Sequence, residues 1–466
     1  MARSIPLGGP PVPRWILGGW LLGIAPMTSA GEVAETSPAV PSSPRSWNWH
    51  AQATGIVQAY PAFEAPYSGP YSLPPGGQAR QTTSFDLTAG VRPWRGAELF
   101  VDGLMWQGYG LGNARGIAGF PNGEAFRLGT TEPNGAISRL FLRQTIGLGG
   151  AVETVADDAL NLGGERDVSR VTVTMGRVNV KDIFDNNAYA NNPRTQFMNW
   201  ALMANQAWDY PADALGYTTG MAAELNQPGW ALRYGLFQLP AASNGLTFED
   251  RLFKWPPDGT GATGSPLESW GMVVEWERRH VLAGRPGAVR WLAYWNRARM
   301  GNYRMATQQA GRPGTLDGTR ADRNKLGAGL NVEQELADGI GVFSRIGWSD
   351  GRNEAWVFSD VDWTVTAGLS ARNRWCSRPD DTLAIAGILN GISGPHAAYL
   401  RAGGTGILAG DGTLAHGQEG VLETYYDLRA WRGIRVAFDY QLVIHPAFNR
   451  DRGPVHVLGA RVHWEY

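Results

Sequence analysis

The chain has 466 residues with 41 basic and 42 acidic side chains, a formal net charge of −1 that offers no electrostatic footprint for nucleic acid or an anionic surface. A single cysteine, Cys376, excludes an internal disulfide and reads as a tolerated free thiol. The 62 glycines and 20 tryptophans suit turns, wide sheets and interfacial belts, and no His-x-x-x-His or Cys-x-x-Cys spacing suggests a metal, so no cofactor is expected.

The amino end places Arg3 and Arg14 before an apolar stretch from Trp15 to Met27, then Thr28, Ser29 and Ala30. A basic region, a short apolar core and small residues make a secretory signal over residues 1–30, cut after Ala30; the alternative, a membrane anchor, lacks the length to span a bilayer. Residues 31–46 are rich in Pro, Ser, Ala and Glu and read as a periplasmic lead-in, with one continuous domain over 47–466. No later run of about 18 apolar residues exists, so any membrane crossing must use strands.

The clearest strands come as hairpins. Val273, Glu275, Glu277 and Arg279 alternate with Met272, Val274 and Trp276; a turn over residues 282–287 follows, and then Val289, Trp291, Ala293 and Trp295 alternate with Arg290, Leu292, Tyr294 and Asn296. Asn331, Glu333 and Glu335 oppose Leu330 and Val332 before Asp338-Gly339, a hairpin signal, after which Phe343 and Arg345 oppose Val342, Ser344, Ile346 and Trp348. Glu423, Asp427, Arg435 and Asp439 likewise oppose apolar neighbours across a turn at Trp431, Arg432 and Gly433. The last strand carries Leu458, Ala460, Val462, Trp464 and Tyr466 on one face and Arg461, His463 and Glu465 on the other. A soluble sandwich can also alternate, but strands long enough to cross a bilayer, aromatic residues at the terminus and short turns alternating with long connections fit a transmembrane antiparallel β-barrel. Length divided by the residues needed per strand and connection predicts about 16 strands, with 18 as the alternative, and hence an aqueous lumen.

Residues 181–213 break the alternation. Asn192 is positioned to cap a helix starting at Pro193, with Phe197, Trp200, Ala201 and Ala204 at helical spacing, so a short helix is expected within a long loop folded into the lumen. Phe197, Trp200 and Leu202 are expected to buttress the wall. Sugars present hydroxyls that donate and accept, and C–H faces that lie against aromatic rings. The loop residues able to supply such partners are Asp182, Asp185, Asn186, Asn187, Arg194, Trp208 and Asp209, proposed as the constriction. Strand phase adds Glu275, Glu277, Arg279, Arg290, Glu333, Glu335, Arg345, Glu423, Asp427, Arg435 and Asp439 as lumen lining, most of them expected to pair with one another.

The runs at residues 182–203 (DIFDNNAYANNPRTQFMNWALM) and 207–213 (AWDYPAD) resemble the carbohydrate-selective porins of Gram-negative outer membranes. So do residues 284–290 (GRPGAVR), 296–301 (NRARMG), 330–335 (LNVEQE), 342–351 (VFSRIGWSDG), 378–381 (RPDD) and 449–454 (NRDRGP), over about 47–466 in all. The resemblance implies a 16-stranded barrel passing glucose and similar sugars by diffusion. It also implies outer-membrane lipid and, through the carboxy-terminal strand, the barrel-assembly machinery as partners. Relatives commonly carry His-Asp where this chain has Asn191-Asn192, which bears on sugar preference, and porins more often end in Phe than in Tyr466. Both a homotrimer and a monomer stay open. Alternative functions are a general or anion-preferring porin and a non-conducting sugar-binding protein. Gly347, Ser349 and Gly351 match a nucleophile elbow formally, but no helical pattern follows, so an enzyme is not expected.

Overall fold

The computed structural model describes residues 45–125, 129–247, 254–255, 268–309, 315–372 and 378–466; the signal segment, most of the lead-in and Cys376 lie outside them. Sixteen antiparallel strands form a closed barrel. They are β1 (Trp47–Tyr60), β2 (Gln78–Val91), β3 (Ala97–Gly108), β4 (Thr130–Gly147), β5 (Arg170–Val178), β6 (Thr218–Gln227), β7 (Trp230–Gln238) and β8 (Trp270–Leu282). The second half continues with β9 (Arg285–Met300), β10 (Ala321–Ala337), β11 (Ile340–Ser349), β12 (Trp363–Arg372), β13 (Thr382–Gly391), β14 (Glu419–Trp431), β15 (Ile434–Ile444) and β16 (Val455–Glu465). Each strand pairs with the next, and β16 pairs with β1 from Gln52↔Glu465 to Ala59↔Leu458, so the wall has no free edge. The two residues Lys254 and Trp255 add a short pairing onto β4. The count is 16, and 18 is excluded by this closure.

The period of two decides which side chain meets which medium. Leu458, Val462, Trp464 and Tyr466 point outward, whereas Arg461 and His463 are buried inward. On β8 and β9 the outward Trp276 and Trp291 stack with centroids 4.7 Å apart, while Glu275, Glu277 and Arg290 point into the barrel. An apolar outer wall around a polar interior inverts the soluble pattern and is the arrangement a bilayer requires. Trp47, Trp49, Trp94, Trp431 and Tyr466 are exposed around one end, and Tyr466 stacks on Trp49 across the closing seam at 4.8 Å. That end also holds the tight turns.

The turn between β8 and β9 is narrower than residues 282–287: Ala283 and Gly284 alone make it, both with positive φ (51° and 77°), and Arg285 to Gly287 already pair within β9. Positive φ at both central residues matches the right-handed twist of the flanking strands. Asp338-Gly339 and Arg432-Gly433 also turn the chain in two residues, with positive φ at the glycine alone (74° and 70°). One connection at this end is long. Residues 148–169 form a small hairpin of their own, Val152–Val155 paired with Gly164–Asp167. At the opposite end long loops pack on one another, with two short helices among the described residues, α1 (Tyr303–Gln308) and α2 (Gly394–Arg401), stacked through Tyr303 and His396 at 4.1 Å.

Candidate functional site: a loop-narrowed lumen

Loops fold into the barrel from both ends. The longest, residues 179–217, contains one α-helical turn at Trp200–Met203, capped by Asn199 through the Ala201 N–H. The expected helix start at Pro193 is therefore corrected: the Asn192 carboxamide accepts from the Arg194 N–H in a local turn, and helix begins only after Asn199. The physical reason is that the wall claims the backbone in between. Glu423 accepts the N–H groups of Met198 and Asn199, and Arg461 donates to the carbonyls of Pro193 and Gln196, so those groups are unavailable for an i to i+4 ladder.

The same device recurs along the loop. Arg345, fully buried, donates to the Asp185 carboxylate (3.1 Å) and to the carbonyls of Leu202 (2.9 Å), Asp185 and Ala190. Glu275 accepts the Asp185 N–H at 2.7 Å, and Glu333 accepts that of Ala188 at 2.6 Å. Asn331 reaches Asp185, Asn186 and Asn187. Where the wall offers no side chain, the loop sits on glycine: a Cβ on Gly347 would lie 1.9 Å from Asn205, and one on Gly341 1.9 Å from the Tyr189 ring. Buried charges cost free energy unless paired, so these wall residues are satisfied by loop backbone rather than by water.

The candidate constriction residues therefore divide. Asp182 and Arg194 line the open lumen. Asp185 and Asn187 are buried anchors of the loop, and Asn186 is half-buried beside them, with its carbonyl on Asn331. Asp209 is buried at 1% exposure and accepts the N–H groups of Trp356 and Val357, tying the loop to residues 350–362. Trp208 is 2% exposed and packs against Phe184 and Tyr210 away from the open lumen. All eleven wall candidates point inward. Glu275, Glu333, Arg345 and Glu423 hold the loop; Arg279 and Arg290 pair with Glu277, Glu335 with Arg285, and Arg435 with Asp427. Asp439 accepts from Gln441 beside the loop.

What remains open is a cavity of about 590 Å³ toward the turn end and a smaller one of about 80 Å³ above it, sharing Glu124, Asn179, Arg194, Met203 and Tyr217 as lining. This shared ring is the neck. Arg194 donates through Nε to Glu124 (2.8 Å) and through Nη1 to Asp86 (2.6 Å). Just below, Arg139 lies between Asp102 (2.7 Å) and Asp182 (2.7 and 3.0 Å), under the face of Tyr217 at 5.4 Å. Above the neck, Phe120 and Trp200 stack at 5.1 Å with planes 13° apart, flanked by Tyr210 and Phe358. Trp200 thus lines the upper chamber, whereas Phe197 buttresses the wall against Phe343 and Tyr425.

Asp86, Asp102, Glu124, Arg139 and Tyr217 were not singled out in the sequence. Asp86 alternates inward with Ser84 and Thr88 on β2, a signal that strand phase supplies. Glu124 and Tyr217 lie off the strands, and only the fold brings them together.

Lys181 also lines the lower cavity, donating to the carbonyl and side chain of Asn191 at 3.1 Å and to the Met203 carbonyl. Burial, with Arg345 nearby, pushes its ammonium down to about 7, so it is charged below that pH and increasingly neutral above it. Lowering the pH from 8 to 6 should add a positive charge beside the neck and shift the reversal potential in a salt gradient toward anions. Lys181→Met should reduce that shift; an equal shift in both proteins would disprove it.

A closed barrel of this width with a lumen narrowed by its own loops is the fold of a channel protein, and Ser349 lies at the end of β11 with an extended loop, not a helix, after it. The profile of the carbohydrate-selective porin, OprB family, matches residues 72–466, and the chain belongs to that family. Among solved structures, the chain is similar to Pseudomonas putida OprB at high pH, at 16% identity and a TM-score of 0.67, covering 90% of this chain and 94% of that one. The low-pH structure of the same protein gives 12% identity and a TM-score of 0.47 over 90% and 93% of the two chains. Pseudomonas aeruginosa OccK2 in complex with glucuronate gives 11% and 0.42 over 90% and 97%. No curated protein matches the sequence.

Proposed function

We propose that the protein is a passive, sugar-selective porin for glucose and similar neutral carbohydrates, exported by a cleaved signal over residues 1–30, with residues 31–46 as a lead-in to a porin domain over 47–466. In this reading the turn end faces the periplasm, and the carboxy-terminal strand is what the barrel-assembly machinery handles. The observation that carries it is the neck: two guanidinium groups, each held between two carboxylates, directly beneath a set of aromatic faces. Fixed donors and acceptors in close alternation exchange hydrogen bonds with a hydroxylated ring as it passes, and the aromatic faces take its C–H surface. Because every charged group already has a protein partner, sugar competes with existing bonds, which keeps binding weak enough for flow.

Purified protein in liposomes should speed swelling in glucose over a zwitterion of similar size, and millimolar sugar should block single-channel current. Equal swelling rates would favour a general porin, and a complete lack of conductance a non-conducting binding protein.

A further inference from the structure

The connection between β4 and β5 departs from the tight turns around it. After its hairpin arms, residues 156–163 bend back against the inner wall and line the lower cavity through Asp157, Asp158, Ala159 and Leu160. The tip is tied down. Asn48 of β1 donates to the Asp157 carboxylate (3.2 Å) and to the carbonyls of Asp158 (3.0 Å) and Asn161 (3.3 Å). Arg143 holds the Leu160 carbonyl at 2.8 Å, and Arg166 that of Leu162 at 3.1 Å. Leu162 is fully buried with Phe100 and Phe141. A segment so anchored on both backbone and side chain is a fixed part of the pore wall, unlike a mobile surface turn.

Charge then separates what this tip does from what the neck does. Each neck guanidinium lies between two carboxylates, so each group of three is net negative by one. Past the neck the cavity is bounded by the carboxylates of Asp157, Asp158 and Glu465, with Tyr466 beside them. Asp157 faces His50 at 3.5 Å and Arg45 at 3.8 Å, whereas the Asp158 carboxylate accepts the Ala159 N–H and meets no cationic side chain among the described residues. Lys181 and His50 line the same cavity, but its acidic side chains outnumber the basic ones, and a net negative lining between low-dielectric walls focuses its field on whatever passes.

We infer that the inserted tip at residues 156–163 is a second, rigid constriction at the periplasmic exit that screens solutes by charge, admitting neutral and cationic sugars and rejecting anionic ones such as sugar acids and sugar phosphates. This deepens the sugar-channel reading and rests on it. The tip acts on charge, leaving hydroxyl recognition to the neck.

The test uses the full-length protein in planar bilayers under a potassium chloride gradient, and in liposomes with glucose, glucosamine and gluconate as probes. Wild type should be cation-preferring and should pass gluconate several-fold more slowly than glucose. Asp158→Lys should lower the cation-to-anion permeability ratio by about threefold or more and raise the gluconate-to-glucose flux ratio by about twofold or more, roughly the scale on which wall charges act on ions in narrow pores. Asp158→Asn should shift both readouts in the same direction by less, and it answers the question if the lysine variant fails to assemble. A wild type without cation preference, or reversal potentials unchanged in both variants, overturns the exit filter. Failure of wild type to pass glucose would instead overturn the sugar reading, so the two failures are distinguishable.

Discussion

Replacing Arg345 with alanine should widen the pore. The side chain is completely buried and spends its donors on the Asp185 carboxylate and on three carbonyls of the lumen loop. Its loss strands a buried carboxylate and several unmet carbonyls, and breaking a buried ion pair by removing one partner costs about 3–5 kcal/mol. Since about 1.4 kcal/mol is a tenfold change in an equilibrium, a loss of that size is enough to undock a segment held by a similar margin. The barrel itself is closed by strand pairing elsewhere and should survive. The expected outcome is a several-fold higher single-channel conductance with sugar block lost, while the folded band persists in a heat-modifiability gel. Arg345→Lys keeps the charge but not the fork, and should fall between. Unchanged conductance and block in Arg345→Ala would show that the loop is held by other contacts.

That dependence explains what could and could not be read from the chain. Strand phase placed the wall candidates from Glu275 to Asp439 inward, because period two is a local property and the outer wall of a barrel must be apolar at membrane depth. Phase cannot say whether an inward charge meets water or another part of the protein. Glu423 and Arg345 looked like pore lining and turned out to hold loop backbone, and Asp209 looked like a sugar contact and turned out to tie one loop to another. One signal for this was present. Gly329, Gly341 and Gly347 recur on the inward faces of β10 and β11, and an inward face of small residues marks where something packs close; here Asn205 and Tyr189 do so. The neck was harder. Arg194 came from the loop, but its partners Asp86 and Glu124 lie far away in the chain, and no local pattern joins them.

The contrast between Trp208 and Arg194 follows from this. Both belong to the same loop, yet Trp208 packs among Phe184 and Tyr210, so Trp208→Ala should act as a cavity mutation, costing about 3–5 kcal/mol of packing and lowering the heat-modifiability temperature. Sugar block should change only as far as the loop shifts.

Arg194→Ala should do the reverse, leaving the fold largely intact while changing what the pore recognises. Its guanidinium borders both cavities, so water can enter the space it vacates and solvate Asp86 and Glu124. Two consequences follow from the geometry. A passing sugar loses the fixed donors at the neck, and hydrogen bonds to charged groups are worth about 1.5–3 kcal/mol, so half-blocking sugar concentrations should rise by roughly tenfold or more. The neck also gains a net negative charge, because the two carboxylates remain without their shared cation, and the reversal potential in a salt gradient should move toward cations. Arg194→Lys separates the effects. It restores the charge, returning the reversal potential close to wild type, but a single ammonium cannot hold both carboxylates in the fork geometry, so sugar block should recover only in part. Block constants indistinguishable from wild type in Arg194→Ala would remove Arg194 from sugar recognition and leave Arg139 and the aromatic set at Phe120 and Trp200 as the contact surfaces to test.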